Sequence, residues 1–249
     1  METKHLFKFS GYTIIIDSLD CVALDQKYVI NTISPNSYGI SSHDPEMDFA
    51  LKNSDFLTLD GVYFGLLTFL KFRQRISRIT GWDTFQFLSK KMNEKCGKVF
   101  FLGSNELTLQ KITEHYKRDF PNITVGTFAP PYRDKFSDAE NAEMHKAINA
   151  FAPDVLFIGL TAPKQEKWSV QNKNFVNVNI IATIGNVFDW YADNQKRPSA
   201  FWQKIGLEWL IRIIYRPEIF RRNIYNQLIF FTHLLRVLFI RKENIKLPL

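Results

Sequence analysis

Short apolar runs, each bounded by polar or turn-forming residues, recur along most of the chain and predict strands over 12–17, 28–32, 56–59, 98–102, 123–126, 155–158 and 179–184. Helical patterns lie between the later runs. One is predicted over 105–118, opening after Gly103-Ser104 and closing before Pro121. Another follows Ser137-Asp138-Ala139-Glu140, whose Ser-x-x-Glu spacing is that of a capping box, and ends before Pro153. Strands alternating with helices predict an α/β fold with a mostly parallel, Rossmann-like sheet flanked by helices. After Pro198 the strand pattern stops. Two helices are predicted there, 201–215 and 218–241, divided at Arg216-Pro217 because proline cannot continue a helix interior and moves the residue before it out of the α region. The chain therefore reads as an α/β body, 1–198, and a helical appendage, 199–249, with no internal repeat and no flexible linker between them.

The second of these helices is rich in Ile, Leu and Phe but is interrupted by Asn226, Gln227, His233 and Arg236. That falls short of the roughly 20 apolar residues needed to span a bilayer. It predicts an amphipathic helix lying on a membrane, with Phe230, Phe231, Leu234, Leu238 and Phe239 at the acyl boundary and basic side chains at headgroup level. The alternative is a helix pair packed on the body or on a second subunit. Charge favours the membrane. The total is +7, and the segment 204–249 alone carries nine basic residues against three acids, so the rest of the chain is close to neutral at +1. A neutral body with a basic, aromatic tail calls for an anionic partner of the tail: a membrane surface, a phosphorylated lipid or a nucleic acid. The long aliphatic runs suit lipid better than a phosphate backbone.

With 249 residues, 45% of them apolar and 15% aromatic, the chain is neither a disordered tail nor a disulfide-stapled mini-protein. Its two cysteines, Cys21 and Cys96, imply no disulfide framework, and nothing in the first ten residues reads as a signal peptide, so a cytoplasmic location is expected.

In parallel α/β sheets ligands bind beyond the carboxyl ends of the strands. Five places qualify. Asn31-Thr32-Ile33-Ser34-Pro35-Asn36 offers small hydroxyl and amide groups for a sugar or phosphate, or for capping the next helix. Asp60-Gly61 puts a carboxylate at a strand end, as a general base or as a helix cap. Gly103-Ser104-Asn105 opens a helix whose N–H groups can hold phosphate, though without the GxGxxG spacing of a dinucleotide fold. Pro163-Lys164-Gln165-Glu166 concentrates polar side chains at a helix start. Gly185-Asn186-Val187-Phe188-Asp189 combines a close-approach glycine with a carboxylate for a ribose or base, or for a helix N-terminus. The five histidines show no metal-ligand spacing, and there is no GxSxG elbow, Walker loop or Asp-x-Asp. No metal and no cofactor are expected. An NAD-dependent oxidoreductase, weakened by the missing dinucleotide fingerprint, and a non-catalytic nucleotide or nucleic-acid binding module stay open at this point.

Taken in order, Thr32-Ile33-Ser34, Leu59-Asp60-Gly61, Arg78-Ile79-Thr80-Gly81-Trp82-Asp83, Phe101-Leu102-Gly103, Ala129-Pro130-Pro131, Pro163-Lys164-Gln165-Glu166, Gly185-Asn186-Val187-Phe188-Asp189 and Gly206-Leu207-Glu208-Trp209-Leu210-Ile211-Arg212 resemble the signature series of the WecG/TagA/CpsF glycosyltransferases. The resemblance implies an inverting, metal-independent enzyme that moves a sugar from a UDP-sugar to a polyprenyl-diphosphate-linked saccharide at the inner face of the bacterial membrane, with N-acetylmannosamine, its uronic acid or glucose as donor sugar. It implies Asp60 as general base, Thr32 and Gln165 as active-site polar groups, and Arg212, Arg216, Arg221 and Arg222 as the arginines of the C-terminal appendage. Ser34, Gly61, Gly103, Ser104, Pro163, Lys164, Glu166, Gly185 and Asp189 complete the expected substrate-binding set, the diphosphate lying near Gly103 or Gly159 and the nucleoside near Asp189. Two departures stand out. The family usually has asparagine at the position of Ser34, and the stretch between Asp17 and Lys27 is too short for the helix that often precedes the first motif, which implies a trimmed N-terminal edge. Self-association is left open, since an amphipathic tail can also be hidden between copies.

Overall fold

A computed structural model describes residues 5–9, 11–199, 201–202 and 217–239. Eight strands form one sheet: β1 (Leu6–Phe9), β2 (Tyr12–Ile15), β3 (Tyr28–Ile33), β4 (Phe56–Leu59), β5 (Lys98–Gly103), β6 (Thr124–Phe128), β7 (Val155–Gly159) and β8 (Ile180–Thr183). Their order is β1-β2-β4-β3-β8-β7-β5-β6. Only β1 and β2 pair antiparallel; every other pairing is parallel. Each predicted strand is present within a few residues of its expected ends. The hairpin strand β1 is an addition to the sequence pattern, because its alternation of Leu6 and Phe7 with Lys8 is too short to stand out at the chain's edge. The stretch between Asp17 and Lys27 holds a 3-10 turn, Leu19–Cys21, whose Leu19 and the following Val22 enter the core in place of a helix.

The central strands are apolar on both faces because both are covered. Val99 and Phe101 of β5, Val155 and Phe157 of β7, and Ile180 and Ala182 of β8 point to one side, where they meet α4 (Gly81–Lys95), α5 (Glu106–Asp119) and α8 (Val187–Tyr191). The alternate residues Phe100, Leu102, Leu156, Ile158 and Ile181 meet α6 (Asp138–Phe151) and α7 (Lys164–Gln171) on the other. A third cluster lies under α1 (Pro35–Ser41), α2 (Pro45–Lys52) and α3 (Val62–Phe72), built on Ile14, Ile33, Leu57 and Leu59.

The C-terminal helix α9 (Pro217–Phe239) packs on this third cluster. Its crossing with α1 is close at Gly39, where a Cβ would lie 2.5 Å from the Asn226 Cα. Asn226 Nδ2 donates to Asn36 Oδ1 (3.1 Å), and Phe230 is buried against Tyr38 and Phe64. Phe231 meets Tyr63, and Leu234 packs at the same seam. The expectation that Phe230, Phe231 and Leu234 face lipid is therefore corrected: they face the protein. The notch at Gly39 admits the stripe 226, 230, 233, 234, and the opposite stripe, Tyr225, Leu228 and Leu235, is the exposed apolar one. The helix predicted over 201–215 is described only at Phe201 and Trp202, both helical. Arg212, Arg216, Leu238, Phe239 and the Gly206 to Arg212 motif fall where nothing, or no side chain, is described, and the same holds for the side chains of Arg221 and Arg222. Among the described residues no helix is long and apolar enough to cross a membrane.

Candidate active site

The carboxyl ends of β4, β3 and β8 form the centre of the strand-end edge, and the register sets what meets there. Thr32 pairs with Thr58 and Ile33 with Leu59, and the Asp60 amide donates to the Ile33 carbonyl at 2.9 Å. Thr32, Thr58 and Asp60 share parity, so they project to the α4 side of the sheet. The two threonine hydroxyls are hydrogen-bonded at 2.9 Å. Gly61, next to Asp60, occupies the N-cap position of α3 and brings no side chain to it. Arg78 reaches the Asp60 carboxylate, its Nε and a terminal nitrogen approaching Oδ1 at 3.1 and 2.9 Å.

The segment carrying Arg78 explains why its motif reads as it does. The Ile79 amide donates to the Leu59 carbonyl (3.0 Å), fixing the segment to the end of β4. Thr80 and Asp83 form a capping box that starts α4. A Cβ on Gly81 would stand 3.1 Å from the Ile184 carbonyl, so glycine lets α4 begin directly against the end of β8. Trp82 then lies under the Arg197 guanidinium, 4.6 Å from the ring centre, with Trp190 also within 5.4 Å of that guanidinium. Arg78 is a site residue that single-residue reasoning missed. Its partner is 18 positions away, and only the Arg78 to Asp83 motif contained it.

Beyond β8, Gly185 has φ +52 and an added Cβ would lie 3.5 Å from both amide atoms of Gln165. Gln165 Nε2 donates to Glu166 Oε1 at 2.8 Å. Both side chains are enclosed, Gln165 9% and Glu166 2% exposed, and Gln165 Oε1 and Glu166 Oε2 have no partner among the described residues. Burial without a countercharge pushes the Glu166 carboxyl up to about 7. Glu166 thus belongs to the wall behind Gln165. A buried polar cluster anchors that wall: Asn31 Nδ2 donates to Ser54 Oγ (2.8 Å) and Ser169 Oγ (3.2 Å), and Asn31 Oδ1 accepts from Thr183 Oγ1 (2.7 Å). It joins β3, β8 and α7, so the helix bearing Gln165 is held to the strands bearing Thr32 and Gly185. Asp60 and Gly185 follow strands on either side of β3, two strand spacings or roughly 10 Å apart.

The remaining expected residues are spread along the edge. The Ser34 hydroxyl caps α1, accepting from the Ser37 amide at 3.2 Å. Gly103 and Gly159 pair where β5 and β7 end, so closely that a Cβ on Gly103 would stand 2.5 Å from the Gly159 carbonyl oxygen. Phe188 lies against Gly159. Ser104 adopts a left-handed backbone, and Asn105 caps α5. Pro163 precedes α7, and Lys164 turns away from Gln165, donating to the Arg133 carbonyl with its ammonium 4.7 Å from the Phe136 ring centre. Asp189 Oδ2 accepts from Gln195 Nε2 (2.9 Å), holding the turn after α8.

Glycosyl transferases of the WecG/TagA/CpsF family match this sequence over residues 11–244. The chain belongs to that family. WecG/TagA/CpsF relatives with assigned activities include an N-acetylglucosaminyldiphosphoundecaprenol N-acetyl-β-D-mannosaminyltransferase of Bacillus spizizenii (strain W23), 28% identical over 89% of this chain and 87% of the relative. The protein of the same name from Bacillus subtilis (strain 168) is 27% identical over 89% and 86%. One from Staphylococcus aureus is 27% identical over 55% and 52%. In WecG/TagA/CpsF terms, the Asp60–Arg78 pair joins two motifs 18 positions apart and the Gln165–Gly185 contact joins two more that are 20 positions apart.

Proposed function

We propose that this chain is an inverting glycosyltransferase that moves N-acetylmannosamine or a closely related sugar from a UDP-sugar to a GlcNAc-diphosphate-polyprenol acceptor in the synthesis of a cell-surface polymer. The observation that carries this reading is Asp60, held at the β4 end by Arg78 and two strand spacings, roughly 10 Å, from Gly185, against which Gln165 lies, a gap suited to a hexose ring. Asp60 takes the proton of the acceptor hydroxyl as that oxygen attacks the anomeric carbon. The new C–O bond forms on the face opposite the leaving group, and the bond to the β-phosphate oxygen breaks with its electron pair leaving on UDP. Inversion of an α-linked donor gives a β-glycoside, the linkage named for the relatives. Backbone N–H groups and arginines meet the charge on the departing diphosphate, without a metal ion. Thr32 and Gln165 orient the donor sugar.

The helical appendage brings this body to the inner face of the membrane. Support comes from the exposed stripe Tyr225, Leu228 and Leu235 on α9, with Arg236 beside it, while the opposite stripe docks on the catalytic body. The decisive experiment is Asp60→Asn assayed for UDP release with a synthetic GlcNAc-diphosphate-prenol acceptor. Turnover should fall by about 10²- to 10⁴-fold while UDP affinity stays unchanged. Near-normal turnover in the variant removes Asp60 as the base.

A further inference from the structure

Beside Asp60 a cavity of about 360 Å³ opens between α3 and the extended segment 73–79, lined by Leu59, Gly61, Gly65, Phe69, Ile76 and Arg78 together with Ser77. Its walls are almost wholly hydrocarbon. Gly65 brings the segment close, since a Cβ there would lie 3.1 Å from the Ile76 carbonyl oxygen. The segment is pinned by its backbone: the Ser77 amide donates to the Ile16 carbonyl (2.6 Å) and Ile79 to Leu59. Four of the eight residues from Lys71 to Arg78 are basic and none is acidic, although the body as a whole is nearly neutral. Arg73 and Arg75 are exposed, and their guanidinium carbons lie 6.0 and 5.5 Å from the Phe69 ring centre, at the cavity's rim. Leu70, beside Phe69, is an exposed apolar residue.

An apolar cavity rimmed by arginines is complementary to an amphiphile with an anionic head. Resting on the acceptor class proposed above, we infer that the α3 cavity and its arginine rim bind the prenyl-diphosphate part of the acceptor, the diphosphate on Arg73 and Arg75 and the first isoprene units against Phe69, Gly65 and Ile76. The dimensions agree. Gly61 and Phe69 are eight residues apart along α3, about 12 Å, so an acceptor anchored at Phe69 reaches back with its sugar to Asp60. The inference gives the body its own hold on the lipid, separate from α9.

The test uses the full chain and three probes: farnesyl diphosphate, inorganic pyrophosphate and farnesol, each titrated calorimetrically, with UDP as the control ligand. Farnesyl diphosphate should bind at least roughly tenfold tighter than either fragment, since burying two or three methylene groups suffices for that factor. Phe69→Ala and the double variant Arg73→Ala/Arg75→Ala should each weaken it by roughly tenfold and leave UDP affinity unchanged. Farnesyl diphosphate binding no tighter than pyrophosphate overturns the inference, as does binding that Phe69→Ala leaves intact. A parent chain that does not bind farnesyl diphosphate at all also overturns it. The two proposals fail separately. Sugar transfer to a GlcNAc-diphosphate lacking the prenyl chain, as fast as to the lipid and unaffected by Phe69→Ala, overturns the cavity but not the transferase. Farnesyl diphosphate binding that follows the variants supports the cavity even where Asp60→Asn keeps its turnover.

Discussion

Glu166→Gln tests the wall behind Gln165 through its pH dependence. In the folded chain burial raises the Glu166 carboxyl from its ordinary 4.5 to about 7. The folded state therefore binds a proton more tightly than the unfolded state over that interval, and stability falls as pH rises through it. Below about pH 4.5 the acid is neutral in both states and burial of its charge costs nothing. Above about pH 7 the folded state holds a buried carboxylate, and at 1.36 kcal/mol per pKa unit the accumulated loss is about 3 kcal/mol. Glutamine keeps the size and can still accept from Gln165 Nε2 but does not ionise. Urea unfolding of both proteins from pH 4.5 to 8 should therefore give curves that diverge, the variant gaining about 3 kcal/mol on the parent by the top of the range. Groups titrating elsewhere cancel in the difference. None of the influences that shift Glu166 is a charged neighbour: Lys167, next in sequence, is engaged with Asp44 and Glu46 at 2.7 and 3.0 Å. A difference that is the same at pH 5 and pH 8 refutes the reasoning, because it means that Glu166 is ionised in the fold throughout or is open to water.

Two further outcomes follow from the seat of α9. Gly39→Ala drives a methyl group into the Asn226 backbone and should cost roughly 1–3 kcal/mol, with faster amide exchange over 223–236; unchanged melting and exchange would show that α9 does not cross there. Leu228→Glu with Leu235→Glu, both on the outward stripe, should leave the melting temperature nearly unchanged and abolish sedimentation with anionic liposomes. Retained sedimentation sinks the membrane role of that stripe.

The strands are legible in the sequence because a sheet covered on both faces leaves continuous apolar runs such as Val155 to Gly159, and the capping box at Ser137 is legible because it is local. Asp60 stands out from the residue pattern alone as a carboxylate at a strand end, and Gln165 as one member of a polar cluster at a helix start. What holds them does not. Arg78 meets Asp60 only because Ile79 and Gly81 seat its segment between β4 and β8, and Asn31 meets Thr183 only because β3 and β8 are neighbours in the sheet. Both facts follow from strand order, which no local pattern encodes. The orientation of α9 is hidden for a similar reason. The helix carries two apolar stripes, and the choice between them is made by a glycine 187 positions earlier in the chain, at the crossing of Gly39 with Asn226.

That crossing also makes α1 a mechanical link. Its first turn is locked to the end of β3 by the Ser34–Ser37 capping box, one residue from the Ile33 carbonyl that holds Asp60, and its far side is wedged against α9 with no slack for a side chain. A seven-residue helix gripped at both ends moves as a rigid bracket. If α9 docks on a surface as proposed, a tilt of that helix would pass through α1 to the end of β3, whose Ile33 carbonyl holds the Asp60 amide, and docking and the geometry of the Asp60 site would share one moving part.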